Sequence, residues 1–229
     1  LIACHHRSPR LLSPGIRAAA DLFGLFVSMR VAAREQNEAA RVEEDARSVC
    51  DTLALRLGQV SDARLALGGE LDLLRRAVRA DGVALLQSGH WHSAGRAPPE
   101  SSMDDLMAWV GRSANPGSPA RTGHAADWSP SGEAVDGIAG VLAVPTDPAR
   151  GEWLFYFRCE QVEDVRWAGR PDEAAKIVGG NGRIDPRSSF EAWQETVRGS
   201  ALPWSDADLR AASRLGLLLR EYSRRAGAL

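Results

Sequence analysis

"IVGGNGRIDPRSSFEAWQETVRG", residues 177–199, sits where a compact domain should have only a turn. Upstream lies a strand, "GEWLFYFR" (151–158), and downstream a helix, "SDADLRAASRLGLLLREYSRR" (205–225). About forty-five residues connect the two, a length that compact domains reserve for disordered or functional segments. Disorder is a poor account of a segment carrying Trp167, Phe190, Trp193 and Trp204, because such segments are depleted in large aromatics. The outgoing arm places Val165 and Trp167 on one strand face. The return arm opens with Pro186, then Ser188-x-x-Glu191 as a capping box. Phe190, Trp193 and Val197 follow as the apolar stripe of a two-turn helix. A helix that short is marginal alone, so the arm must dock on another surface or pair with its outgoing partner. Gly179, Gly180 and Gly182 supply a flexible tip, and Arg187 is presented between a proline and two small hydroxyl residues. That setting suits a bidentate pair with a carboxylate elsewhere. The stretch reads as an arm made to dock.

Outward from the arm, the spacing predicts an α+β domain with an antiparallel sheet and helices on one side of it. A long helix starts at Ser13 (N-cap) and Pro14 (first turn) and runs to about residue 59. It is apolar at Ile16, Ala20, Phe23, Val27 and Val31, polar from 34 to 47, and apolar again at Val49, Leu53 and Leu57. Such a rod joins two domains, and its apolar ends can pack on a second copy. A second helix is expected over 65–78, then a hairpin with a strand at 83–87, a Ser88-Gly89 turn and a return through Trp91. Ser102 and Asp105 form a capping box for a short helix. "GIAGVLAVPT" is a buried strand, paired with "GEWLFYFR" across a "DPARG" turn. The last helix opens on the box Ser205-x-x-Asp208 and is apolar at Leu209, Ala212, Leu215, Leu218, Leu219 and Tyr222.

Composition narrows the function. The chain has 229 residues, 44% hydrophobic and 25% charged, with a net charge of −2 and no basic block. That leaves no electrostatic case for nucleic acid or an anionic membrane surface. Cys4, Cys50 and Cys159 form neither a disulfide framework nor a zinc spacing, which suits a reducing cytoplasm. No apolar run nears the roughly 18 residues of a membrane helix, and a signal peptide is not expected. The opening "LIACHHRSP" lacks a methionine and starts within an apolar strand, which reads as a fragment whose N-terminal partner lies outside it.

Catalytic constellations are not legible. His90 and His92 share a strand face without a carboxylate or cysteine to complete a metal set. "GGNGR" lacks the Gly-Lys-Ser/Thr of a phosphate loop. "DPRSS" has no histidine downstream of His124 to activate a serine. Glu43-Glu44 and Asp104-Asp105 fall on helix exteriors or starts, where charge is expected. His5, at the end of the "LIAC" strand, needs a hydrogen-bonding partner if buried.

Several motifs in order resemble the carboxy-terminal part of a bacterial phytochrome photosensory core. "LIACHHRSPRLLSPGIRAAADLFG" is similar to the end of a bilin-binding GAF domain and its exit helix. "RGEWLFYFRCE", "WAG", "PRSSF" and "LPWSDADLRAA" resemble a PHY domain with its tongue. The resemblance implies residues 1–45 as the GAF strand and exit helix, and 46–229 as a GAF-like PHY domain with its tongue at about 160–204. It implies a tongue that seals the biliverdin pocket of the GAF domain and switches between hairpin and helix with light. Arg187 would pair with a GAF aspartate, with Pro186, Ser189 and Phe190 in the same motif. Trp167 and Gly169 would form the Trp-Gly-Gly-type turn, Trp193 and Trp204 would pack the tongue, and His5 would lie near ring D of biliverdin. A homodimer through the long helices and a C-terminal output module are implied as partners, with no enzymatic activity in this segment.

Two departures qualify this. Ala168 stands at the middle glycine of the turn. Cys4 is followed by "HHRSP" and is not counted as a bilin-attachment site. The chain by itself is therefore expected to bind no bilin covalently and not to photoconvert. The other reading of the residues is a GAF-like regulatory domain binding a small molecule in its own sheet cleft.

Overall fold

The computed structural model describes residues 11–58, 63–113, 118–168 and 192–226; for the two strands of the insertion it describes the backbone. Helix α1 (Pro14–Leu57) begins as the sequence predicts: the Ser13 hydroxyl accepts from the Ile16 amide at 3.4 Å, with Pro14 in the first turn. At 1.5 Å per residue it is roughly 66 Å long. Only its C-terminal part enters the core, through Val42, Ala46, Val49 and Leu53. Helix α2 (Ala63–Ala77) follows.

Strands β1 (Gly82–Gln87) and β2 (His90–Gly95) form a hairpin with Gln87 opposite His90. Its two turn residues, Ser88 and Gly89, have φ of 52° and 78°. Positive φ at both central positions matches the twist of the flanking strands. Helix α3 (Met103–Ser113) is entered through a 3-10 turn in which the Ser102 amide donates to the Pro99 carbonyl. Strands β3 (Ala120–Thr122), β4 (Ile138–Asp147) and β5 (Glu152–Cys159) complete an antiparallel sheet in the order β2-β1-β5-β4-β3. At the β4–β5 turn the Asp147 carboxylate accepts from the Ala149 amide, and Gly151 takes φ 69°. Strands β6 (Glu163–Ala168) and β7 (Ala192–Val197) pair with each other, and α4 (Asp206–Ala226) follows.

Helices cover both faces of the sheet, not one. Val83, Leu85, Leu142, Val144, Leu154 and Tyr156 pack against α1, α2 and α4. Ala84, Val141, Ala143, Trp153, Phe155 and Phe157 face α3 through Leu106, Trp109 and Val110, with Trp128 beside them. The central strands are therefore buried throughout, which erases the alternation that would reveal a one-sided sheet. Gly216 lets α4 lie close on β4: a Cβ there would come within 2.4 Å of Val144.

Helices α1 and α4 run in the same direction. Arg210 pairs with Glu43 at 2.7 Å, and the Tyr222 hydroxyl donates to the Ala54 carbonyl at 2.9 Å. The second contact lies twelve residues further along α4 and eleven along α1.

Candidate functional site: the root of the insertion

The insertion leaves the sheet after Cys159 and rejoins the domain ahead of α4, and both crossings meet at Arg158. This residue closes the apolar run of β5 and lies opposite Gly140 on β4. It is only 7% exposed, a position an arginine occupies only with its donors satisfied. Its guanidinium donates to the Pro203 carbonyl at 2.8 Å, to the Leu202 carbonyl at 3.3 Å, and to the Asp208 carboxylate at 3.2 Å. It also lies 3.8 Å from the centre of the Trp204 ring, where the ring face attracts a cation. Burial lowers the Arg158 pKa from its ordinary value, and the Asp208 carboxylate opposes that shift.

Asp208 is equally enclosed, at 5% exposure. The carboxylate oxygen that meets Arg158 also accepts from the Ser205 amide at 2.8 Å and the Ser205 hydroxyl at 2.9 Å. In return the Asp208 amide donates to the Ser205 hydroxyl at 3.1 Å. The predicted capping box of α4 is thus complete, and its acid is also the counter-ion of a buried arginine.

The two arms are stitched to each other and to the sheet edge. The Gln161 amide donates to the Ser200 carbonyl at 2.7 Å, and Gly199 donates its amide to the Glu160 carboxylate. Ala201 donates to the Gly123 carbonyl, and Ala125 to the Gly199 carbonyl, each at 2.8 Å. On the outgoing side the Cys159 amide meets Asp81 at 2.7 Å, and the Glu160 amide meets the Gly137 carbonyl at 2.8 Å. Gly140 leaves the space the return arm fills: a Cβ there would lie 2.9 Å from the Ala201 methyl and 3.5 Å from Trp204 Nε1.

Beyond the root, β6 and β7 pair with Trp167 opposite Trp193 and Ala168 opposite Ala192. Residues 192–197 are therefore a strand, where the apolar spacing predicted the end of a short helix. Pairing with the outgoing arm gives this short segment backbone partners, whereas an isolated two-turn helix carries the whole nucleation cost for very few bonds. Of the residues singled out in the sequence, Trp204 is buried against Arg158, and Trp167 and Trp193 are register partners in the β6–β7 ladder. His5, Gly169, Pro186, Arg187, Ser189 and Phe190 lie outside the described residues, as does the Ser188–Glu191 box. Arg158 and Gly140 escaped sequence reading. The one signal was an arginine closing an apolar strand.

Elsewhere the chemistry is sparse. His90 and His92 are exposed on β2 with ring centroids 6.4 Å apart. No group of metal-ligating side chains occurs among the described residues. Burial, reinforced by Asp81, raises the Cys159 thiol, and burial raises Cys50, so neither is an activated nucleophile. Among the described residues no helix is long and apolar enough to cross a membrane.

A sheet domain with helices on both faces and a long insertion grounded at its final helix defines the architecture, and comparison with known proteins places it. The model of the phytochrome region (PHY) matches residues 46–226, and the chain belongs to that family. A bacteriophytochrome of Pseudomonas aeruginosa is 32% identical over 225 residues, covering 96% of this chain and 30% of the relative. Cyanobacterial phytochrome B of a Nostoc species is 28% identical, covering 94% of this chain and 29% of the relative. The chain thus spans less than a third of the length of these relatives. Among solved structures, a bacteriophytochrome from R. palustris superposes with a TM-score of 0.76 at 27% identity, over 97% of this chain and 45% of that one. The photosensory core module of a Stigmatella aurantiaca phytochrome gives 0.68 at 29% identity, over 94% and 43%.

Proposed function

We propose that this chain is the signal-transducing segment of a red/far-red photoreceptor and carries no catalysis of its own. The observation that carries the reading is the grounding of the insertion: Arg158, at the strand end from which it leaves, holds the return arm at Pro203 and the first turn of α4 at Asp208. A segment anchored in this way transmits a change at its far end into a helix. Residues 1–45 are read as the GAF strand and exit helix, 46–229 as the PHY domain, and 160–204 as the tongue.

The pigment is biliverdin, held by the GAF domain of the intact receptor. The described residues of this chain do not form a cradle for it: Trp109, Trp128, Phe155 and Phe157 fill the α3 side of the sheet, and aliphatic side chains fill the other. The same packing counts against a small-molecule site in the domain's own cleft. Toward the pigment, Arg187 pairs with a GAF aspartate from the motif it shares with Pro186, Ser189 and Phe190. Trp167, Gly169 and Trp193 shape the tongue, and His5 lies beside the chromophore. The receptor works in the cytoplasm as a homodimer through its long helices and feeds a C-terminal output module. The tongue is bistable, its return arm carrying both strand pairing and a capping box.

Co-expression of the intact gene with a biliverdin source, followed by illumination, tests this. A reversible red/far-red difference spectrum is expected, and its absence overturns the reading. Arg187→Ala in that receptor is expected to speed thermal decay of one photostate; unchanged spectra and decay would remove the pairing role. Amide exchange over 188–197 is expected to differ between dark and light, and identical exchange would remove the bistability.

A further inference from the structure

We infer that Arg158 and Asp208 form a clasp that makes the return arm of the insertion and the first turn of α4 a single mechanical unit. Its light-driven role rests on the reading above; its existence does not. The argument starts with the backbone of the return arm. Pro203 has no amide to donate, and its carbonyl is held by Arg158. The neighbouring Leu202 carbonyl is held by the same guanidinium nitrogen. This stretch borders a groove of about 670 Å³ that it lines together with Arg158 and Asp208, with Glu38 and Val42 of α1, and with Arg79 ahead of β1, and Leu202 is exposed. At Leu202 and Pro203 the tie to the sheet is Arg158, as the Ala201 amide on the Gly123 carbonyl is one residue earlier.

The same guanidinium holds Asp208, and one oxygen of Asp208 holds both the amide and the hydroxyl of Ser205. Moving the Leu202 and Pro203 carbonyls takes two acceptors from a buried cation. The guanidinium must then reorient, and the Asp208 oxygen cannot keep Arg158 and Ser205 together. Buried networks of this kind hold or release as units because a half-satisfied charge is costly there. A shift of the arm is thus passed to the cap of α4 through this polar network, beside the backbone and the buried Trp204 that also join them.

The test is amide exchange of the intact receptor loaded with biliverdin, in the dark and after illumination. In the wild type a light–dark difference is expected in both 199–205 and 206–215. Asp208→Asn keeps the shape but removes the counter-ion. It is expected to retain the difference in 199–205 and to show a difference about tenfold smaller in 206–215, the scale of one charged hydrogen bond. Ser205→Ala removes a capping group but leaves Arg158 facing Asp208, and is expected to keep both differences. Arg158→Met/Asp208→Asn leaves no buried lone charge and serves if Asp208→Asn does not fold; it is expected to behave as Asp208→Asn does. An undiminished difference in 206–215 in the clasp variants overturns the inference. So does an equal loss in Ser205→Ala, which would make the effect one of capping alone. If the wild type does not photoconvert, the receptor reading fails instead, and dark exchange decides the clasp. Asp208→Asn must then speed exchange in 199–205 as well as in 206–212; an increase confined to 206–212 overturns the clasp.

Discussion

The two halves of α1 share one helix and one kind of apolar residue but opposite surroundings. In the C-terminal half, Val42, Ala46, Val49 and Leu53 are buried under α2, α4 and the sheet. In the N-terminal half, Ile16, Leu22, Phe23, Leu25, Phe26 and Met29 are each more than half exposed. An apolar helix face therefore does not by itself stabilise a fold; it does so where a partner surface removes it from water. The first half is patterned for contact with something other than this domain's core, which accords with the proposed exit helix and dimer.

The sharpest test pairs one deletion from each half. Leu53→Ala should cost about 2–5 kcal/mol in urea unfolding, as for a fully buried leucine, whereas Phe26→Ala should cost less than about 0.5 kcal/mol. Equal losses would break the comparison. Next, Phe23→Ser/Phe26→Ser in the intact receptor should weaken dimerisation by about tenfold in Kd, read by sedimentation at graded concentration. An unchanged constant would leave the exposed half without the partner proposed for it.

A smaller effect is expected with pH. Cys50, on the buried half of α1, and Tyr156, on the sheet face beneath it, both have pKa values raised first by burial. The Tyr156 hydroxyl is buried with no hydrogen-bond partner among the described residues. The unfolded thiol and phenol ionise at their ordinary values, 9.0 and 10.0, while the folded groups stay protonated. Their contribution is therefore intact below about pH 9 and declines as pH rises toward the folded values. Unfolding free energy should fall from pH 9 to 11, less steeply in Tyr156→Phe; identical slopes would remove Tyr156 as a cause. Smallest of all, Arg79→Ala breaks exposed pairs with Glu38 and Asp45 at the polar waist. It should cost no more than about 1 kcal/mol, and less in high salt. A larger, salt-insensitive loss would mean that the waist is packed, not merely solvated.

Much of this architecture was legible because local chemistry announces it. Ser13-Pro14, the Ser88-Gly89 turn, the Asp147–Gly151 loop and the Ser205–Asp208 box each have a side chain or backbone angle that only one local structure explains. What escaped depends on partners distant in sequence. The side of the sheet taken by α3 cannot be read from strands buried on both faces. Strand β3 has three residues and owes its existence to β4. Residues 192–197 carry a helical spacing, yet their conformation follows from the register of an arm some thirty residues away. Arg158 looked like the polar end of a strand because its counter-ion lies fifty residues downstream. Asp208 was legible as a cap, but its second bond was not.

The common direction of α1 and α4 carries a last consequence. In an antiparallel hairpin of helices, a thrust arriving along the first is returned toward its source by the second. Here Glu43–Arg210 and Ala54–Tyr222 tie the two rods abreast at two points, eleven residues apart on α1 and twelve on α4. An axial displacement of α1 would on this geometry carry α4 the same way. The domain is built as an inline coupling and not as a reversing lever.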